Sequence, residues 1–196
     1  EVKDSLLTSY IKFDAYNNNT SYFAEIAAYE DLSIEKTSDK FQYILPNFKI
    51  SKLIETALDL RGDLDYEISG SSIQKNTNVM ENYLVNNLNY SSNPIFSKYG
   101  LYNSFDVFLK NSTKEGTNST NYGDKLKSEN YANIILKTSL PLRKKHQSFI
   151  SNFTPKIFTR FSPIDSENLT SLNRKINSTN IFSDNRLGLN DSLEGG

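Results

Sequence analysis

The 196-residue chain has no cysteine and a single histidine, His146. Those absences exclude a disulfide framework and a zinc site built from His and Cys within this stretch. They leave the redox compartment open, since a cysteine-free segment fits either side of a membrane. No run of about 18 apolar residues occurs, so no transmembrane helix is encoded. Charge of one sign is also lacking: 22 Lys and Arg against 23 Asp and Glu give a formal net charge of -1. That balance argues against a nucleic-acid footprint or a polybasic membrane patch. A mean hydropathy of -0.55 would ordinarily describe a water-soluble protein. Outer-membrane barrels escape that test, because apolar and polar residues alternate along their strands and only the period betrays the bilayer.

What is present is Tyr and Phe, 12 of each, in segments that alternate with period two and lack long 3.6-residue repeats, so strands are the favoured element. The alternation predicts strands at roughly 5–16, 21–30, 41–50, 55–70, 79–90, 99–111, 128–142 and 149–162, with a ninth beginning near Leu187. The fourth is the most regular. In ETALDLRGDLDYEISG, residues 55–70, Leu58, Leu60, Leu64, Tyr66 and Ile68 fall on one side, and Asp59, Arg61, Asp63, Asp65 and Glu67 on the other. Asp106 opposes Phe105 and Val107 in the same way, and Lys137 opposes Ile134 and Leu136. The third candidate, FQYILPNFKI, does not sort into two faces, and Pro46 interrupts its ladder.

Length adds to periodicity. A membrane-spanning strand needs about 9–11 residues, whereas strands of soluble proteins have about 5–6. Connections after odd strands read as short, at 17–20, 51–54, 91–98 and 143–148, and those after even strands as long, at 31–40, 71–78, 112–125 and from about 163 to 186, the asymmetry of outer-membrane barrels. Together these features predict an all-β fold: an antiparallel up-and-down transmembrane β-barrel segment of about eight or nine consecutive strands from a larger barrel. On that reading Asp59, Arg61, Asp63, Asp65, Glu67, Asp106 and Lys137 face a hydrated lumen, and Leu58, Leu60, Leu64, Tyr66, Ile68, Ile134 and Leu136 face lipid. A soluble β-sandwich or solenoid has the same local alternation and stays open as the alternative. Residues 1–196 read as an internal piece of the barrel domain with no complete separate domain, expected to form an open curved sheet in isolation.

Chemistry-bearing patterns are sparse. Asp59, Asp63, Asp65 and Glu67 stand about 7 Å from their next-but-one neighbours along a strand, a spacing compatible with a calcium site or an acid/base pair. Carboxylates along one strand do not converge without partners from others, so a hydrated wall is the simpler reading, with Arg61 offsetting part of the charge. Arg61-Gly62-Asp63 matches an adhesion tripeptide in letters but is expected inside a strand, not at a loop tip. His146 sits among Arg143, Lys144 and Lys145, with neither a nucleophile nor an orienting group beside it. Lys114, Lys125, Lys127, Arg174 and Lys175 are cations that could touch lipid phosphates, although Glu115, Asp124 and Glu129 dilute them. Sequons such as Asn118-Ser119-Thr120 follow from an Asn- and Ser-rich composition. No catalytic residue, metal ligand set or cofactor is expected.

The last third carries a more specific signal. Ser139-Leu140-Pro141-Leu142, Thr154-Pro155-Lys156 and Phe161-Ser162-Pro163 are followed by Asn180-Ile181-Phe182, Asn185-Arg186, Asp191 and Glu194-Gly195-Gly196. In that order and spacing they resemble the barrel domain of the lipopolysaccharide-assembly outer-membrane protein family, the large subunit of the lipopolysaccharide translocon. FQYILPNFKISK, YSSNPIF and SFDVFLKNS upstream look similar. The resemblance implies a barrel of about 26 strands in the bacterial cell outer membrane. It implies as partners lipopolysaccharide, a plug lipoprotein in the lumen, a periplasmic transport bridge that docks on a jellyroll domain outside this stretch, and outer-membrane lipids. No nucleic acid and no covalent chemistry are implied. Some members link jellyroll to barrel by disulfides, and this stretch has no cysteine to contribute. An outer-membrane porin or channel, and a soluble β-rich surface or adhesion domain, are the competing functions.

Overall fold

The computed structural model describes residues 5–35, 40–55, 61–75 and 78–163. They form β1 (Leu6–Asn17), β2 (Thr20–Asp31), β3 (Phe41–Ile54), β4 (Gly62–Lys75), β5 (Val79–Ser92), β6 (Ile95–Phe96), β7 (Tyr102–Thr117), β8 (Lys127–Ser139), β9 (Leu142–Lys145), β10 (Ile150–Phe153) and β11 (Lys156–Phe161). The hydrogen-bonded order is β1-β2-β3-β4-β5-β7-β8-β11, with β6 on β7 and with β9 and β10 as a separate two-stranded ladder. Neighbours in the large sheet thus follow chain order, an up-and-down arrangement, and β1 and β11 form no ladder with each other among the described residues. No helix among these residues is long and apolar enough to cross a membrane, which has no bearing on strands that do so. The strands pass through two compact units. One contains β1, β2, β3 as far as Leu53, and residues 65–75, 78–87 and 110–130; the other contains 54–55, 61–64, 88–109 and 131–163.

In the first unit β1 and β2 pair from Leu6↔Asp31 to Asn17↔Thr20, leaving only Asn18 and Asn19 to turn. Asn18 has φ 50°, a left-handed conformation that Asn tolerates better than most residues. Asn19 accepts from the Leu53 N–H at 2.9 Å through its carbonyl and donates its side-chain amide to the Leu53 carbonyl at 3.0 Å. β3 therefore runs the full length of β2, and residues 51–54 belong to the strand and not to a turn. The β2–β3 register shifts between Glu25↔Asn47 and Ala27↔Ile44. The extra residue lies at Leu45-Pro46, where a proline that cannot donate to the ladder is accommodated in a bulge. That bulge is why FQYILPNFKI has no single parity.

Two expected boundaries move. β4 begins at Gly62, so Arg61 precedes the strand, and Leu58, Asp59 and Leu60 lie outside the described residues. At this point in the second unit the Arg61 carbonyl accepts from the Asn93 N–H at 2.8 Å and from the Tyr90 hydroxyl at 3.1 Å. A Cβ on Gly62 would collide with the Ser91 carbonyl oxygen and the Tyr90 hydroxyl, so glycine is required by this close approach. The adhesion-like tripeptide therefore straddles a strand start. β4 and β7 also run on to Lys75 and Thr117, past the point where alternation fades, because the backbone ladder needs no apolar face to continue. The β4–β5 connection shrinks to 76–78, so the expected contrast between short and long connections does not hold there.

The segments expected at 128–142 and 149–162 each split in two. β8 pairs with β11 (Ser139↔Lys156 to Ile134↔Phe161), and β9 with β10 (Leu142↔Phe153 to Lys145↔Ile150), in one continuous register. The break falls at Leu140-Pro141 and Thr154-Pro155. The Leu140 N–H donates to the Pro155 carbonyl at 3.1 Å, and Pro155, lacking an N–H, cannot return the bond. The ninth strand expected near Leu187 lies outside the described residues.

Candidate functional site

Each unit has one side on which charged and amide groups interlock. In the first, Lys49 Nζ meets Glu67 Oε2 at 2.7 Å, Ser51 Oγ donates to the same oxygen at 3.3 Å, and Asn87 Nδ2 donates to Glu67 Oε1 at 3.4 Å. These contacts put Glu67, with Asp63 and Asp65 of the same parity, on the side opposite Leu64, Tyr66 and Ile68. Further along, Glu81 is the centre of a denser cluster. Its Oε2 takes Lys75 Nζ at 2.8 Å, and its Oε1 accepts from Ser119 Oγ at 2.6 Å and Asn121 Nδ2 at 2.9 Å. Glu81 thereby ties the 118–126 loop to the sheet. Glu129 holds Lys127 at 2.7 Å and Lys114 at 3.7 Å.

The second unit has the counterpart on β7 and β8. Asp106 and Lys137 form an ion pair, so these two expected site residues do meet. Tyr102, Ser104, Ser139, Lys156 and Phe158 surround Lys137 in a shallow cavity of about 240 Å³. Ile134 and Leu136, of opposite parity, project to the other side of β8, as do Ile157 and Phe161 of β11 by register.

Burial is inverted relative to a water-soluble sheet. In the first unit the covered side chains are Ala27, Ser71, Glu81, Val85, Ser112 and Lys114, all with the parity of the charged side. In the second they are Asp106, Tyr131, Asn133 and Ile135, again of that parity. Asn133 is 0% and Lys114 8% exposed, whereas Ile134 is 38% and Leu136 53% exposed; the edge strand β1 is exposed on both sides. The apolar side is not uniform: Tyr66 Oη donates to Asn86 Oδ1 at 2.9 Å, and Asn111 Nδ2 donates to Asn130 Oδ1 at 2.9 Å and to Ser128 Oγ at 3.1 Å. This row of amides and hydroxyls marks where Leu109 and Ala132 give way to polar residues along β7 and β8.

Of the residues expected to carry function, Asp63, Asp65 and Glu67 share a side of β4, Asp106 and Lys137 pair, and Arg61 stands in the connection before β4. Pro141 and Pro155 flank the ladder break. Asp59, Asn180, Phe182, Asn185, Arg186, Asp191, Glu194, Gly195 and Gly196 lie outside the described residues. Among the described residues no three His, Cys, Asp or Glu converge as a metal site. His146 sits at a hairpin tip, stacked on Phe149 with ring centroids 4.2 Å apart. Sequence reasoning missed Glu81, and it took Lys114 for a loop cation where the structure has it covered on β7; the signal for Glu81 lay in parity, since Glu81, Val85 and Asn87 alternate with Met80, Leu84 and Leu88. What this arrangement provides is a wall of charged and amide side chains, with ion pairs and hydrogen bonds centred on Glu67, Glu81 and Asp106. No family model matches the chain, and no curated protein matches it.

Proposed function

We propose that this chain is part of the wall of a β-barrel in the bacterial cell outer membrane, and that the barrel is that of the lipopolysaccharide translocon. The observation that carries the barrel reading is the burial on β7 and β8: Asp106 and Asn133 are covered while Leu109, Ile134 and Leu136 stand exposed. In water that arrangement leaves apolar area uncovered at a cost of about 25 cal/mol per Å². Against lipid tails the same side chains are in their preferred medium, and the polar side faces a wet lumen. Asp63, Asp65, Glu67, Asp106 and Lys137 are then lumen residues, and Leu64, Tyr66, Ile68, Ile134 and Leu136 face lipid. The assignment to the translocon rests on the resemblance in Ser139–Leu142, Thr154–Lys156 and beyond.

On this reading lipopolysaccharide sugars move along the polar wall, a plug lipoprotein occupies the lumen, the periplasmic bridge delivers its cargo to a domain outside this stretch, and outer-membrane lipids cover the apolar side. The chain performs no covalent step and binds no nucleic acid. The test has two parts. Leu64→Arg in the full-length protein should reduce the amount recovered in the outer membrane severely, at about 2–4 kcal/mol for a mid-bilayer arginine, while Asp65→Arg should assemble normally. Equal recovery of the two variants would refute the facing. Depletion of the full-length protein should then stop newly made lipopolysaccharide from reaching the cell surface. Undisturbed lipopolysaccharide with reduced solute uptake would identify a porin instead.

A further inference from the structure

Beyond the Pro141 and Pro155 break, β9 and β10 carry a composition unlike the rest of the chain. Residues 130–164 contain six Lys and Arg and no Asp or Glu, in a chain whose net charge is -1. Arg143, Lys144 and Lys145 are exposed and form no ion pair among the described residues. Beside them Phe149 is 59% and Phe153 67% exposed, with Leu142 and Ile150 exposed as well. The hairpin closes tightly, the His146 N–H donating to the Phe149 carbonyl at 2.8 Å, so these side chains project from a defined ribbon.

The register decides what can cover them. Leu142 pairs with Phe153 and Lys144 with Ser151, which puts two apolar groups and a cation on one side; Arg143 pairs with Asn152 and Lys145 with Ile150, which puts two cations and an apolar group on the other. Each side thus mixes cations with apolar groups. A headgroup layer satisfies both sides at once, because phosphates and the acyl boundary lie within a few ångströms of each other and surround whatever enters. We propose that the β9–β10 hairpin is an interfacial anchor that docks on a leaflet of anionic glycerophospholipid, its cations on headgroup phosphates and Leu142, Phe149, Ile150 and Phe153 at the acyl boundary. This inference rests on the barrel reading for its placement at the edge of a bilayer.

The experiment uses the full-length protein reconstituted in vesicles of phosphatidylcholine alone or mixed with phosphatidylglycerol, with brominated acyl chains as quencher. One fluorophore is placed at the hairpin tip through Ser148→Cys, and a second, in a separate sample, on the apolar side of β8 through Leu136→Cys. Quenching at the tip should be about twofold stronger or more with phosphatidylglycerol present, a difference abolished when Arg143→Gln, Lys144→Gln and Lys145→Gln are combined. Quenching at position 136 with a silent tip in both lipids overturns the anchor, leaves the barrel standing, and assigns the hairpin to a protein partner. A silent position 136 with a tip quenched in the anionic vesicles refutes the barrel and upholds lipid docking by a peripheral chain. Silence at both refutes both.

Discussion

Glu81 shows how much a single carboxylate holds in this chain. It is almost fully covered and receives a lysine, a hydroxyl and an amide, two of them from the loop that follows β7. Glu81→Ala removes the acceptor that Asn121 Nδ2 and Ser119 Oγ share, at a cost of about 1–3 kcal/mol for charge-assisted bonds lost in a covered site. The expected outcome is faster trypsin cleavage at Lys125, read by mass spectrometry, with the strands still protected; unchanged cleavage would show that the loop is held by other contacts. Asp106 and Lys137 permit a cleaner test. Either Asp106→Lys or Lys137→Asp alone should lower the amount of folded protein measured by heat-modifiable gel mobility, and the two together should restore most of it, because the pair is local and one member is covered. Ser112 Oγ and both polar atoms of the Asn133 side chain are enclosed without a protein hydrogen-bond partner.

At the scale of the element, the β8–β11 hairpin is the most instructive. Its register persists through two prolines, so one absent donor, that of Pro155, separates a sheet strand from a free ribbon. Pro155→Ala should restore the return bond to the Leu140 carbonyl and add a slow-exchanging amide at 155, worth about 1 kcal/mol locally; an amide at 155 that exchanges as freely as those of the tip would count against a ladder break caused by the missing donor. The long strands of the described sheet were mostly legible, because Ile11 and Phe13 against Lys12 and Asp14, or Ile134 and Leu136 against Lys137, alternate without ambiguity. Strand ends were not legible. Ser71, Ser72 and Lys114 look like loop in composition, yet they continue β4 and β7, and pairing is a property of two segments and not of one. The partners of Glu81 were invisible for the same reason, since Ser119 and Asn121 are far from it in sequence.

At the scale of the molecule, the sides of the sheet predict behaviour in solution. A chain exposing Ile11, Phe13, Tyr16, Leu136, Ile157 and Phe161 should self-associate in buffer and become monodisperse in mild detergent, which sedimentation velocity resolves directly. A monodisperse monomer without detergent would return the chain to the soluble β-sandwich class. Facing depends on parity alone, and that gives the Leu45-Pro46 bulge a consequence for length variation in the gene. Deleting one residue elsewhere in β3, such as Lys49, turns every side chain on one flank of the cut to the wrong side. Deleting Pro46 removes the surplus residue and leaves Gln42 and Ile44 in phase with Asn47, Lys49 and Ser51. Single-codon deletions tolerated in β3 should therefore be confined to the bulge.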